Sequence, residues 1–434
     1  MDPDIYQGIF LYLLRVAGNR MDRCYVFFDY LLRRRSVGLI CRLLKLTSAE
    51  ASVLEMRRIG VDPAGIAIMG PKQAHYNLRL EGLTPAQANV LKQDVLAIGG
   101  EAAVAKGAAS CAIATSGAVV SGTMKQMEIL FDKLSRQSFG LPGVALCMKE
   151  ALQNALAPVV SVKGRTRSWA VGKKTLIMGI LNVTPDSFSD GGLYIDPAKA
   201  LEKALSMVED GAHWIDVGGE STRPGAQPID ADEEAGRVLP LVSALASRGI
   251  AVSVDTAKAS VAQKALEAGA EIINDISGLS DPDMATVCAN YKCGLVIMHK
   301  RGTPLTMQSD VCYDDLVGEV YGYLQGRLTH ALSLGIDLAR ISVDPGIGFG
   351  KSAEGNLELI RRLGEFRSMG RPVLVGPSRK SFIAKTIGLA SVAARDAGTL
   401  SACSIAVMNG AHILRVHDVA GASAAAALAE GIRG

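Results

Sequence analysis

No stretch of this 434-residue chain approaches the roughly 20 consecutive apolar residues that a membrane-spanning helix needs. The most apolar opening segment, "GIFLYLLRVAG" (8–18), is short. It follows Asp2 and Asp4, where a secretory signal carries basic residues. Arg15, Arg20, Arg23, Arg33, Arg34, Arg35 and Arg42 come after it. That spacing admits an amphipathic helix touching lipid or a partner, or a loose extension, and membrane contact is not expected. Met21 and Met56 are alternative starts. None of the eight cysteines forms a C-x-x-C pair, and Cys288 and Cys293 have no histidine between them. The usual zinc spacings are thereby excluded, and the expectation is reduced core thiols in a cytoplasmic protein. Net charge is only +3, so no global field favours nucleic acid, although a local basic cleft still attracts anions. A phosphate-binding P-loop is also missing. "PGIGFGKS" (345–352) imitates one, but Pro345 stands where its first glycine belongs, and Lys351 stands where a G-x-G-x-x-G would have its third.

What is present is apolar and ordered. Hydrophobic residues make up 49% and charged residues 21%, the balance of a globular enzyme with a large core. The length admits two units. Residues 1–55 form an extension of uncertain structure. Over 56–160 the pattern is that of a small α/β accessory domain. "AHYNLRLEG" (74–82) alternates as a strand does. "TPAQANVLKQDVLAIGG" (84–100) opens with an N-cap threonine and a proline at the first helical position and stops on two glycines. "EAAVAKG" and "CAIATSGAVVSG" read as strands, and residues 123–140 repeat apolar residues at helical spacing. This resembles a ferredoxin-like sandwich. It carries neither paired catalytic groups nor metal spacing, so a structural or partner-binding role is expected.

From about 165 to 434 the texture changes. Eight short apolar runs recur: 175–181, 213–218, 250–255, 271–276, 294–299, 340–346, 371–376 and 411–418, with helical patterns such as 197–212 and 258–270 between them. Continuous rather than alternating apolar runs are expected of parallel strands buried on both faces. Eight βα repeats predict an α/β fold of the (β/α)8 TIM-barrel type. A doubly wound sheet would place a glycine-rich turn after its first strand, whereas this first strand runs into Asn182-Val183-Thr184-Pro185.

The strand ends carry the chemistry. They are Asn182, Gly218-Gly219-Glu220, Asp255, Asn274-Asp275, His299, Asp344, Gly376, and Arg415 with His417. In a parallel barrel these positions share one mouth. Asp255, Asn274 and Asp344 suit a flat heterocycle with N–H and amino donors, because a carboxylate accepts two parallel hydrogen bonds from such an edge. Arg223, Arg379, Lys380, Arg415 and His417 suit an anionic leaving group. Asn182, Ser221 and Thr222 suit phosphate oxygens or a hydrated Mg2+.

The motifs "MGILNVTPDSFSDGG" (178–192), "IDVGGESTRPG" (215–225), "VSVDT" (252–256), "INDISG" (273–278), "VIMHKRGTP" (296–304), "VDPGIGFGK" (343–351), "GPSRKSF" (376–382) and "RVHDV" (415–419) fall in one order. In that order the segment from about 165 to 434 resembles the dihydropteroate synthase family. The resemblance implies a transferase of folate biosynthesis, joining 6-hydroxymethyl-7,8-dihydropterin diphosphate to p-aminobenzoate. It implies that Asp255, Asn274, Asp344 and Lys380 bind the pterin. Asn182, Thr222, Arg415 and His417 would bind diphosphate, with Mg2+ bridging Asn182 and the phosphates. Arg223, Pro224, Phe349 and Ser381 would line the p-aminobenzoate pocket. The implied partners are small molecules, and barrels of this kind often form homodimers through outer helices. A corrinoid-dependent pterin methyltransferase shares barrel and acidic pocket but does not need the basic set. A pterin-binding regulator that had lost catalysis would not need it either. A modified arylamine in place of p-aminobenzoate stays open. Residues 1–160 lack the kinase or aldolase motifs of bifunctional folate enzymes.

Overall fold

The computed structural model describes residues 41–44, 46, 48–184, 197–221, 225–303, 306–307, 311–388 and 391–433. The chain divides into two compact units, Met1–Lys133 and Leu134–Gly434. In the first, Ser48 and Asp62 cap the short helices α1 (Ala49–Arg58) and α2 (Pro63–Met69). There follow β1 (His75–Leu83), α3 (Pro85–Ala97), β2 (Glu101–Val104), β3 (Ser116–Thr123) and α4 (Met124–Ser135). Helix α3 begins at Thr84 because its hydroxyl accepts from the Gln87 N–H while the Gln87 side chain accepts from the Thr84 N–H, a reciprocal cap that satisfies two orphan donors. The antiparallel sheet runs β1-β3-β2, and Leu91, Val95, Ala102, Val120 and Leu130 are buried in this unit. A ferredoxin-like sandwich has a fourth strand after its second helix. Here the chain enters another helix instead, α5 (Leu141–Leu156).

Helix α5 belongs to the second unit. It packs on the 3-10 helix Leu363–Met369, with the Asn154 amide donating to Ser368 O at 3.2 Å and Arg367 donating to Ala157 O at 2.7 Å. The division therefore falls inside α4 rather than near residue 160, as composition had led one to expect. The stripe Leu141, Ala145, Met148, Leu152 declares a face to bury, but not the body that buries it.

A hairpin, β4 (Val160–Lys163) with β5 (Ser168–Val171), leads into the barrel. Its strands and helices are β6 (Leu176–Asn182), α6 (Pro197–Glu209), β7 (Trp214–Gly218), α7 (Ala231–Ala246), β8 (Val252–Asp255), α8 (Ala259–Glu267), β9 (Ile272–Asp275), α9 (Met284–Tyr291), β10 (Gly294–Met298), α10 (Leu316–Ser333), β11 (Ile341–Asp344), α11 (Ala353–Arg361), β12 (Leu374–Val375), α12 (Ser381–Ile387), α13 (Val392–Met408), β13 (Ile413–Val416) and α14 (Val419–Arg433). All eight expected strands are present, parallel, in the order β11-β10-β9-β8-β7-β6-β13-β12. A parallel bridge between Val343 and Val373 joins the two ends and closes the barrel. The N-terminal end is plugged by apolar residues that include Val162, Val171, Met178, Trp214, Ile272 and Ile413. Trp169 of the hairpin meets Trp214 edge to face, with ring centroids 5.1 Å apart, the favoured arrangement for aromatic quadrupoles. No described helix is long and apolar enough to cross a membrane. The described cysteines are all free. Cys288, Cys293 and Cys403 are buried as expected, but Cys41, Cys111, Cys147 and Cys312 are exposed, so "core thiols" holds for only some of them.

Candidate active site

Strand register builds the site. Across β6, β7, β8 and β9, Asn182, Gly218, Asp255 and Asn274 stand side by side in one row. Gly218 leaves that row open: a Cβ there would lie 3.3 Å from Asn182 Oδ1 and 3.6 Å from Asp255 Cβ. Asn182 and Asp255 therefore flank one glycine-wide gap. Further round the barrel, Asp344 ends β11, Arg415 lies in β13, and Lys380 follows β12.

Arg415 ties the set together. Its Nε donates to Asp216 Oδ2 at 2.6 Å, and its Nη2 donates to Asp255 Oδ2. The Asn274 amide donates to the same Asp216 oxygen at 3.2 Å. The two carboxylates and the guanidinium form a buried triad. Burial alone would disfavour the Arg415 cation, but the two acids more than compensate and hold its pKa above the ordinary range. Burial drives Asp255 up to about 7; Arg415 pulls it down, while Asp216 and Glu234 push it further up. Burial likewise raises Asp344 to about 6, against the Gly346 N–H donated to its Oδ1 at 2.7 Å and the nearby Lys351, Lys380 and Arg415. Lys380 is lowered to about 8 by burial and then by Arg415, with Asp344 and Asp255 opposing. Its ammonium sits 3.7 Å from the centre of the Phe349 ring, a desolvated cation–π contact. Phe349 is buried with Met298, Met307 and Ile276.

Three oxygens in this cluster are buried and have no hydrogen-bond partner among the described residues: Asp216 Oδ1, Asp255 Oδ1 and Asn274 Oδ1. Buried acceptors are seldom left unmatched. Three together around one guanidinium mark a place with acceptors to offer.

The other expected residues differ in their surroundings. The Arg379 side chain is exposed and pairs with Asp396 at 2.7 Å, so it does not add to the basic half of the mouth. Asp275 does not face the cluster as its neighbour Asn274 does. Its carboxylate accepts from Ser277 N at 2.8 Å, Ser277 Oγ at 2.6 Å and Leu279 N, which folds the turn after β9. His417 Nδ1 lies 2.9 Å from Ser378 Oγ, and its N–H donates to the same hydroxyl at 3.2 Å, joining the ends of β12 and β13. Ser381 is exposed in the first turn of α12. Thr222, Arg223 and Pro224, and the polar segment 185–196, lie outside the described residues. Asp216 was missed. Its signal was a carboxylate in the middle of the apolar strand "WIDVG", two residues before Gly218 and hence on the same face.

Among the described residues no three His, Cys, Asp or Glu side chains gather as a metal cage. A Mg2+ that takes one amide oxygen from the protein and the rest from phosphates and water needs no such cage. Asn182, at the edge of the gap, fits that role.

The same segments carry the family likeness. The description "Pterin binding enzyme" matches residues 178–417. A dihydropteroate synthase of Synechocystis is 44% identical over 62% of this chain and 93% of its own length. A probable bifunctional folylpolyglutamate synthase/dihydropteroate synthase of Halobacterium salinarum is 42% identical over 87% of this chain, which spans 45% of that relative. A match of that extent cannot leave out the small α/β unit, so the unit is shared with that relative. A dihydropteroate synthase from Clostridium difficile, solved in the presence of pteroic acid, superposes with a TM-score of 0.57 at 41% identity, covering 60% of this chain and 98% of its own. With the barrel closed and its acids and cations at one mouth, the chain belongs to the dihydropteroate synthase family of pterin-binding enzymes.

Proposed function

We propose that the chain condenses 6-hydroxymethyl-7,8-dihydropterin diphosphate with p-aminobenzoate, giving 7,8-dihydropteroate and diphosphate. The observation that carries the reading is the trio of buried, unmatched oxygens on Asp216, Asp255 and Asn274 beside the Arg415 guanidinium. A pterin edge presents adjacent N–H and NH2 donors of the kind that trio lacks. Asp344, across the mouth, offers a further acceptor, and Lys380 a donor for ring oxygen or nitrogen.

The chemistry follows from the charges. The carbon–oxygen bond to diphosphate breaks and its electron pair leaves with the anion. The pterin is left with a delocalised positive charge, which the fixed carboxylate of Asp255 stabilises without reorganising. The arylamine nitrogen then forms the new carbon–nitrogen bond and gives up a proton. No covalent intermediate on the enzyme is required. On the leaving side, Arg415 has Nη1 to offer, since Nε and Nη2 are held by acids. His417 and Thr222 complete the anion's surroundings in this reading. Asn182 would hold Mg2+, which supplies charge neutralisation for the departing phosphates. Arg223, Pro224, Phe349 and Ser381 would bound the arylamine. The reading needs only two small-molecule substrates, and the α/β unit acts as an accessory to the barrel.

The test is diphosphate release by the full chain from the pterin substrate, with and without p-aminobenzoate. Release that depends on the amine and matches dihydropteroate formed mole for mole supports the reading. Absence of turnover with both substrates and Mg2+ present overturns it.

A further inference from the structure

Behind the site lies a buried lysine that the reaction does not use. Lys351, only 4% exposed, points its ammonium into the loop it terminates rather than toward the mouth. Its Nζ lies within hydrogen-bond distance of Gly346 O at 2.9 Å, Phe349 O at 2.8 Å and His299 Nδ1 at 3.0 Å, and burial brings its pKa down to about 7, against the pull of Asp344. Burial, then Lys351 and Arg301, hold His299 down to about 3. Its ring is therefore neutral, Nδ1 is the acceptor and the proton sits on Nε2. The ring is wedged edge to face against Tyr323, with centroids 4.9 Å apart. Its own backbone N–H donates to Asp344 O at 2.9 Å. The loop is tight where these groups meet. Gly346 has φ +71°, and a Cβ there would lie 1.8 Å from His299 O.

We propose that Lys351, seated on His299, is a positioning residue that holds the 345–350 loop in one shape and so sets the arylamine pocket through Phe349. The proposal rests on the reading above, which puts Phe349 at that pocket. The path is short. Lys351 grips the Phe349 carbonyl, and the Phe349 ring carries the Lys380 ammonium 3.7 Å above its centre. At Gly348, φ +86°, a Cβ would meet Lys380 Cδ at 2.8 Å, so the loop backbone lies directly against the Lys380 stem. By contrast, the Gly346 N–H to Asp344 contact joins residues two apart and survives without Lys351. Lys380 and Asp344 also feel the change, because the loop lies against the Lys380 stem and Lys351 helps to lower Asp344, so pterin binding weakens too, but less than that of the arylamine that Phe349 bounds. This gives a use to His299, a strand-end residue of the mouth that the reaction itself leaves idle, and to the lysine of the false P-loop.

The experiment is steady-state kinetics on the full chain, beginning with the unaltered enzyme. If that does not turn over, the functional reading fails before this inference is reached. Given turnover, Lys351→Met should raise KM for p-aminobenzoate by at least about tenfold, and by several-fold more than it raises KM for the pterin diphosphate. His299→Phe removes the acceptor and should reproduce that split. His299→Asn puts an amide oxygen where Nδ1 was and should restore KM for p-aminobenzoate to within about threefold of the unaltered chain. The double variant His299→Phe with Lys351→Met should be no worse than Lys351→Met alone, because the His299 contact is one of the three that Lys351→Met already removes. If Lys351→Met does not fold, the His299 pair decides. Equal rises in KM for both substrates, additive effects in the double variant, or a His299→Asn chain no better than His299→Phe would each overturn the proposal.

Discussion

The two ends of the barrel are made of similar strands and treat polar groups in opposite ways. At the N-terminal end several acids and histidines are matched, although Trp214 Nε1 and Arg371 Nε are buried without a partner among the described residues. Glu271 accepts from Thr166 N at 2.8 Å and from the Thr166 hydroxyl. Glu430 accepts from Thr175 N at 2.5 Å. His213 Nδ1 and His412 Nδ1 accept backbone N–H groups of Ile177 and Val373 at 3.1 and 3.0 Å. Each pairing satisfies a backbone donor or side chain where the sheet begins and the hairpin plugs it. At the C-terminal end, one oxygen each of Asp216, Asp255 and Asn274 is buried without a partner among the described residues, and three acids and two cations gather at one mouth. An end arranged for binding stays under electrostatic tension until a ligand arrives, which is how one fold separates scaffold from site.

The comparison can be broken most sharply at Asp255. Asp255→Asn keeps the shape but removes the fixed negative charge, so kcat should fall by about 10²–10³-fold, with pterin affinity much less affected. Single-turnover and binding measurements on the same preparation separate the two. A kcat within a few-fold of the parent would show that the mouth's charge does not act on the reaction. At the other end, Trp169→Ala should lower unfolding free energy by about 2–3 kcal/mol, below the full cost for a buried tryptophan because Trp169 is half-buried. Chemical denaturation reads the loss, and kcat/KM at a temperature where the chain is folded should not change.

The acid–base balance gives a third test. Asp255, raised to about 7, must be ionised to accept from the pterin and to stabilise its cation. Lys380, lowered to about 8, must be protonated to donate. For the free enzyme, kcat/KM should therefore rise as pH climbs through about 7 and fall above about 8, a narrow bell. A flat profile from pH 6 to 9 would remove one or both groups from the mechanism. The smallest effect belongs to a matched pair at the N-terminal end. Thr166→Val removes the hydroxyl donor to Glu271 and should cost about 1 kcal/mol of stability, without change in either KM.

A larger consequence concerns Arg415. From residue types alone it belongs with the anion-binding groups. In the fold, two of its nitrogens already hold Asp216 and Asp255, so Arg415→Ala would strip the partner from two buried acids. Loss of affinity for diphosphate alone is no longer the expectation. Binding of the free hydroxymethylpterin, measured calorimetrically, should weaken as well, and stability should fall by about 3–5 kcal/mol.

Much of this was legible in order of residues. The eight apolar runs and their polar ends define a parallel barrel, because strands buried on both faces cannot alternate and a shared mouth collects whatever follows them. Asp255, Asn274, Asp344 and Arg415 were read as strand ends, and Lys380 as part of the basic loop that follows Gly376. What escaped were residues whose role is defined by a partner far along the chain. Asp216 reads as one odd acid inside an apolar strand until Arg415, 199 residues away, reaches it. Arg379 sits in a basic motif, yet a left-handed backbone at φ +57° precedes a side chain that points to Asp396. The stripe on α5 predicts a helix but not that the barrel claims it.

The sequence alone determined the class of fold, the periodicity of its elements and the kinds of chemical group available at the mouth, because those depend on local spacing and on which residues end each strand. Tertiary structure alone decided which acid meets which cation, which oxygens go unmatched, and that Lys351 turns inward to His299. Those outcomes depend on distances of a few ångströms between segments far apart in the chain, where burial and Coulomb energy are set together.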